Sequence, residues 1–294
     1  MRFSWYETYR QCIETELETW FRQNDIYDEK SPEKVLFEAM KYGVLGSGKR
    51  FRPILGCCAF EACADNRSLK KKDIQSLIAL EFIHASTLIH DDLPAMDNDE
   101  LRRGKPTVWK VYGEGIAVLA GDVLVGEAFR ILSQTVSHKK LPNVISFFSH
   151  VLGIQGVNGG QARDILFENT KLTANEIEET HRKKTGALLL CSALFGAFLA
   201  NASEEKQCLI AEYANALGLA FQIRDDILDA EGDEKILGKK TKKDIEKKGF
   251  VQIFGIEEAK KRLTHEVETA INIANKLQSE KLRDLAELTE KREK

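Results

Sequence analysis

The sequence predicts an all-α fold, on three observations. Only five prolines occur in 294 residues and none follows Pro142, so the second half of the chain carries no outright helix breaker. Several long stretches repeat apolar residues at helical spacing or are apolar all round. No linker, internal repeat or low-complexity tract interrupts the pattern. With 43% hydrophobic residues the chain can bury a substantial core, and a single domain over residues 1–294 is expected.

The elements follow in order. Residues 4–23 place Trp5, Tyr9, Ile13, Leu17 and Trp20 on one helical stripe. Ser31 followed by Pro32 is a cap with proline at the first helical position, opening a helix to about Tyr42. Gly43, Gly46 and Gly48 then precede Lys49, Arg50, Arg52 and Pro53. That stretch reads either as a plain turn or as a phosphate cradle opening a helix, since glycines let the backbone approach and helix N-termini favour anions. It lacks the full nucleotide-loop pattern.

Ile74 to His90 is apolar almost all round and predicts one buried helix. Pro94 ends it near Asp92 by disfavouring the α conformation at Leu93. Asp91 and Asp97 would be splayed by about 600° of rotation on an unbroken helix, so a turn folding Asp97 back toward Asp91 is expected. Val118 to Leu132 predicts another buried helix, with Asp122 inside it in need of a cation or a metal-bound water network. Gly153, Gly156, Gly159 and Gly160 precede Gln161 and Asp164, which predicts close helix approach or room for a ligand.

Thr173 and Glu176 form a capping-box start. Gly186 to Ala200 carries no charge, but at roughly 22 Å it is shorter than the ~30 Å membrane core and reads as a core helix. Lys183, Lys184 and Thr185 would stand at its polar mouth. Residues 205–229 form a helix ending in Asp225-Asp226-Ile227-Leu228-Asp229, with Gln222 one turn earlier. Gly232 to Gly249 is lysine-rich and reads as a solvated flap meeting phosphate, or as a nucleic-acid contact. The last helices run from about Glu257.

A formal charge of −3 argues against a general nucleic-acid or anionic-membrane binder. The N-terminus is charged throughout and is no signal peptide. Six scattered cysteines show no zinc spacing and suit buried thiols in a reducing cytosol.

Two acidic clusters carry the chemistry. Asp91, Asp92 and Asp97 at a helix end suit a hard cation such as Mg²⁺, usually shared with phosphate, or else a solvated acidic turn. Arg102 and Arg103 follow, and their forks match phosphate oxygens. Asp225 and Asp229 lie four apart on one helix face, where like charges repel and a cation between them compensates. His84, seven before Asp91, is either a core histidine or part of the same site.

Taken together, these motifs resemble those of the trans-isoprenyl diphosphate synthases, bacterial short-chain type, over nearly the whole chain. Gly48-Lys49-Arg50-Phe51-Arg52-Pro53 is similar to the family's GKRxRP. Asp91 to Asp97 is similar to its longer first aspartate motif, with Arg102-Arg103-Gly104 behind. Gly159-Gly160-Gln161, Lys184-Thr185-Gly186, Phe221-Gln222, the second aspartate cluster and Gly238-Lys239 complete the set. The resemblance implies a helical bundle around a deep central cavity, the two clusters facing each other at its mouth. It implies head-to-tail condensation of isopentenyl diphosphate with an allylic diphosphate.

By the same resemblance, Mg²⁺ ions, about three and replaceable by Mn²⁺, sit on Asp91, Asp97 and Asp225, with Asp92, Asp226 and Asp229 adjoining. Arg102, Lys184 and Lys239 hold the allylic diphosphate. Gly48, Lys49, Arg52, His84 and Arg103 hold isopentenyl diphosphate, with Lys247 on the flap. Thr185 and Gln222 offer oxygen dipoles to the developing carbocation. A cytoplasmic homodimer without stable membrane insertion and without nucleic acid is expected.

Three departures stand out. The usual Lys-x-Thr-aromatic is Lys247-Lys248-Gly249-Phe250, Trp109 stands where histidine is common, and the aromatic five before the first aspartate is Ser86. With Ser86 and Thr87 small, the first stopper is Phe82 or Ile83, a helical turn deeper. That turn is about 5.4 Å, close to one isoprene unit, which favours a C20 product over C15. The rivals are a non-catalytic partner subunit, which need not keep both clusters; a terpene cyclase, whose second motif mixes Asn, Ser and Glu; and an HD-type phosphohydrolase, which would want more suitably spaced histidines.

Overall fold

The helical periodicities become fifteen α-helices and one π turn among the described residues. The computed structural model describes residues 3–46, 48–65, 67–167, 170, 172–237 and 249–292, the side chains of 232–237 set aside. These fall into two units, one drawn from Met1–Cys57 and Ser68–Ile145, the other from Cys58–Arg67 and Ser146–Lys294.

The first unit begins with α1 (Ser4–Asn24), which buries Tyr6, Ile13, Leu17 and Phe21. The buried stripe is thus rotated slightly from the predicted one, leaving Trp20 at its edge under the Arg130 guanidinium. Helix α2 (Pro32–Leu45) starts as read: Pro32 is in the first turn and the Ser31 hydroxyl accepts from the Lys34 N–H. Helix α3 (Phe51–Cys63) opens directly after Arg50.

The predicted single helix over 74–90 is instead α4 (Lys71–Leu77) and α5 (Ala79–Asp91). Between them the Ile78 carbonyl accepts from both the Glu81 and Phe82 N–H groups, at 2.9 and 3.3 Å. This is a tightened, 3₁₀-like step. No glycine or proline marks it, so periodicity carries no sign of it. Phe82 stacks on Phe21 and meets Trp20 edge-on, with ring centroids at 5.7 and 4.7 Å. Such pairs each add about 0.5–1.5 kcal/mol beyond burial.

A short hairpin follows, β1 (Leu101–Arg102) with β2 (Lys105–Pro106). Its two turn residues, Arg103 and Gly104, both have positive φ, as two-residue hairpin loops require. Helices α6 (Val108–Tyr112) and α7 (Glu114–Thr135) come next, and α7 packs on α5. A β-carbon at Gly121 would lie 2.1 Å from His90 Nε2, so glycine lets that ring seat against α7. The expectation for Asp122 is corrected. Its side chain is 63% exposed, 3.7 Å from His90 Nε2, so it is not a buried carboxylate in need of a compensating cation. Only one face of α7 is buried; Val118 and Leu119 lie open.

Helix α8 (Leu141–Leu152) precedes α9 (Val157–Leu166) and α10 (Ala174–His181), whose Thr173–Glu176 capping box forms. The π turn Arg182–Gly186 runs into α11 (Ala187–Ala200). The continuous rod Ala174–Ala200 has the length and apolarity of a membrane span, but 56% of its apolar stretch is buried within the protein. Helix α12 (Glu204–Leu237) runs two turns past the second aspartate cluster. Helices α13 (Phe250–Phe254), α14 (Ile256–Lys276) and α15 (Glu280–Glu290) finish the second unit. The buried Tyr213 hydroxyl ties α12 to α15 through the Leu282 carbonyl at 2.6 Å.

Candidate active site

In the first unit the glycine–cation loop is organised by its middle cation. Arg50 adopts positive φ and is 5% exposed. Its guanidinium donates to the Val44 and Gly46 carbonyls and pairs with the buried Glu81 at 3.0 Å. Arg50 therefore braces the loop and is not a phosphate cation, a correction to reading three cations as one cradle. Gly48 sits so close that a β-carbon would lie 2.8 Å from Arg50 Nη1 and 3.0 Å from Arg103 Nη1. The Lys49 carbonyl accepts from the Tyr6 hydroxyl at 2.8 Å, and the residue is exposed.

Arg52 Nη1 lies 2.9 Å from His84 Nε2. Burial, then the charges of Arg52, Arg103, Arg102 and Arg50, hold the His84 imidazole well below its ordinary pKa. It is neutral, and Nε2 accepts from Arg52. His84 Nδ1 is buried without a hydrogen-bond partner among the described residues, which a ligand could supply. Below about pH 6.5 the unfolded chain binds a proton that folded His84 refuses, so stability rises with pH up to that value. Denaturant unfolding should show this slope, and His84→Gln should flatten it; an unchanged slope would contradict the neutral ring.

The turn after α5 closes as the proline predicts. The Asp97 N–H donates to the Asp91 carbonyl at 2.9 Å, bringing both residues to one helix end. Trp109 helps hold this turn, its indole N–H donating to the Asp99 carbonyl at 2.9 Å. Asp92 points elsewhere. It is 3% exposed and pairs with Arg102, whose Nε lies 2.6 Å from Oδ1. Burial raises the Asp92 carboxyl against the lowering pull of Arg102. Of the residues read for chain length, Phe82, Ile83 and Ser86 are buried, while Thr87 is half-buried on the stripe of His84 and Asp91. The Thr87 hydroxyl donates to the His84 carbonyl at 2.8 Å.

In the second unit the π turn is the pivot. Inserted turns of this kind recur at functional sites, and this one carries Lys183, Lys184 and Thr185. Gly160 of α9 lies against it: a β-carbon there would be 2.2 Å from the Lys184 nitrogen. That contact accounts for Gly160, while a β-carbon on Gly159 would lie 1.7 Å from the Ile154 carbonyl oxygen. The Gly160 contact brings Asp164 to Lys184 Nζ at 2.6 Å. Gln161 is 8% exposed with both amide atoms lacking hydrogen-bond partners among the described residues, a polar group poised for a ligand. The sequence motif names Gln161 but carries no sign of its burial without a partner.

Along α12, His181 Nδ1 lies 2.7 Å from Gln222 Oε1. Asp225 pairs with Arg292 at 2.8 Å, and that guanidinium lies 4.4 Å over the Phe221 ring. Arg292 carries no sequence signal beyond its charge. Asp226 Oδ2 accepts from the Phe250 N–H at 2.7 Å. Burial raises the Asp226 carboxyl, while His181 and that N–H pull it down. Asp229 is exposed. Gly238, Lys239 and Lys247 lie outside the described residues.

Among the described residues no group of three or more metal-binding side chains gathers at one point. The donors come in ones and twos and are all carboxylate oxygen. Mg²⁺ is bound in that way when waters and substrate phosphate complete its octahedron, so the residues fit it. Hard oxygen donors and Arg forks on an all-α scaffold suit one class of protein: enzymes that work on diphosphate esters.

Residues 33–289 match the family described as polyprenyl synthetase, and the chain belongs to that family. It is 36% identical over 287 residues to a farnesyl diphosphate synthase of Bacillus subtilis, covering 95% of this chain and 94% of that one. It is 42% identical over 263 residues to a short chain isoprenyl diphosphate synthase of Methanocaldococcus jannaschii, covering 86% and 74%. A crystal structure of an FPP/GFPP synthase from Zymomonas mobilis superposes with a TM-score of 0.85 at 32% identity, covering 97% and 98%.

Proposed function

We propose that this chain condenses isopentenyl diphosphate with an allylic diphosphate, head to tail, and carries the product to C20. The observation that carries the reading is the family match over 33–289, joined to relatives named as short-chain prenyl diphosphate synthases. That one match takes in residues of both units, which supports a single polyprenyl synthase domain.

Asp91 and Asp97 in the first unit, and Asp225 with Asp229 in the second, are read as the Mg²⁺ ligands. Mg²⁺ bound with the allylic diphosphate would neutralise it as a leaving group. Arg52, Arg103 and Lys49 hold the isopentenyl diphosphate, with neutral His84 accepting from Arg52 and so aiming it. Lys184 meets the allylic diphosphate, and Thr185 and Gln222 present dipoles to the cationic carbon. No described side chain is assigned as the base; the departed diphosphate would take the proton.

The C20 preference rests on small Ser86 and Thr87. Thr87 shares the open stripe of α5 with Asp91, so a prenyl tail growing from the diphosphate would pass it. Labelled isopentenyl diphosphate, followed by chromatography of the dephosphorylated products, tests this. C20 alcohol is expected, and Thr87→Phe should shift it to C15. C15 alone from the parent chain would overturn the length, and no prenyl product at all would overturn the synthase reading. The alternative, a farnesyl diphosphate synthase, is favoured by the name of the Bacillus subtilis relative.

The protein is read as a cytoplasmic homodimer. Val111, Val118 and Leu119, 47%, 41% and 50% exposed on α6 and α7, supply an apolar face for the second copy. Light scattering should return twice the 33.2 kDa chain mass; a monomer at micromolar concentration would count against it.

A further inference from the structure

Asp226 stands one residue from Asp225, yet it faces a different neighbourhood. Asp225 and Asp229 share one stripe of α12; Asp226 shares the next with Gln222, four residues earlier. Both members of this second stripe meet His181 at the end of α10. Its Nδ1 is 2.7 Å from Gln222 Oε1, and its Nε2 is 3.9 Å from Asp226 Oδ2. The imidazole in turn lies flat on the Phe250 ring, with centroids at 5.5 Å and planes at 22°. The same Asp226 oxygen accepts from the Phe250 N–H, at the first residue of α13. Phe250 is 1% exposed.

Gly249 makes this possible. Its φ is −142°, which any residue can adopt, so the glycine is not there for backbone freedom. It is there for space: a β-carbon would lie 2.5 Å from Asp226 Oδ2 and 2.7 Å from its Cγ. The carboxylate fills the volume that a threonine at this position, usual in the resembled family, would occupy. The unusual Gly249 and the seating of Asp226 are therefore one feature.

We propose that Asp226 is a positioning residue and not a metal ligand: it seats the start of α13 and, through His181, fixes the Gln222 amide, with Gly249 making room. The role given to Gln222 rests on the synthase reading above. A carboxylate accepting a buried N–H is held by a charge-assisted bond, and turning it toward a cation would leave that N–H unpaired beside an aromatic ring.

Mn²⁺ binding, read by electron paramagnetic resonance with inorganic diphosphate as the co-ligand, separates the roles. Asp226→Asn should bind as many ions as the parent, whereas Asp225→Asn should bind fewer. In steady-state assays, Asp226→Asn and Gly249→Ala should each lower kcat by about 10²-fold, the scale of a small misplacement. Their KM for isopentenyl diphosphate should not change, and the double variant should be no worse than the worse single, because both disturb one contact. A loss of folded protein would also lower the apparent kcat at unchanged KM, so the active fraction is measured by active-site titration and kcat is expressed per active site. An ion lost from Asp226→Asn, or effects that multiply, overturns the proposal and leaves the synthase reading standing. Full ion binding in both aspartate variants overturns the metal reading of the cluster, and the proposal with it.

Discussion

Replacing Asp91 with alanine is expected to lower turnover by at least about 10³-fold, roughly 4 kcal/mol of transition-state stabilisation, while leaving the fold intact. The side chain and the backbone of Asp91 do different work. Its carbonyl accepts the Asp97 N–H that closes the turn after α5, and alanine keeps that bond. Its carboxylate sits half-buried at the helix end, and on the proposed reading losing it removes a hard ligand from the substrate's metal. Asp92→Ala should show the reverse emphasis. It would strand the Arg102 guanidinium beside a buried gap, and removing one partner of a buried pair is costly. Thermal unfolding alongside product formation separates the two. Near-parental turnover by Asp91→Ala would refute its place among the ligands.

What could be read from the sequence follows the range of the forces involved. Proline, caps and their neighbours act within a few residues. The end of α5, the return of Asp97, the Ser31 cap and the Thr173–Glu176 box were all legible for that reason. Contacts set by tertiary packing were not. The step at Ile78 has no local breaker, and Arg50 looks like its cationic neighbours until Glu81, thirty-one residues on, claims it.

The same limit applies in the acidic clusters. Asp91 and Asp92, or Asp225 and Asp226, are identical letters in a motif. Their environments differ: Arg102 takes Asp92, and the Phe250 N–H takes Asp226. A stripe that is apolar in sequence also need not be buried, as the open face of α7 shows with Asp122. The departure at Gly249 had no explanation at the level of residues alone and acquires one in the space beside Asp226.

Gly160→Ala should strongly damage the site in the second unit. A new β-carbon there would lie 2.2 Å from the nitrogen and 2.6 Å from the Cα of Lys184, and 2.7 Å from the Lys183 carbonyl carbon. All three are backbone atoms, so no side-chain rotation relieves the clash. Helix α9 must back away from the π turn, carrying Gln161 and Asp164 with it. The 2.6 Å pair between Asp164 and Lys184 then stretches, and Lys184 and Thr185 lose the wall that aims them.

Overpacking of this kind costs about 1–3 kcal/mol of stability, and misplacement by an ångström costs about 10²-fold in rate. The expected result is a kcat/KM down by at least that factor, in a protein that still unfolds cooperatively. Gly126→Ala in α7 is the matched control. Nothing lies within 4 Å of its added carbon, so removing a helix glycine there should stabilise by roughly 0.5–1 kcal/mol with activity unchanged. If Gly160→Ala behaved like Gly126→Ala, the close seat of α9 on the π turn would have no part in holding the site.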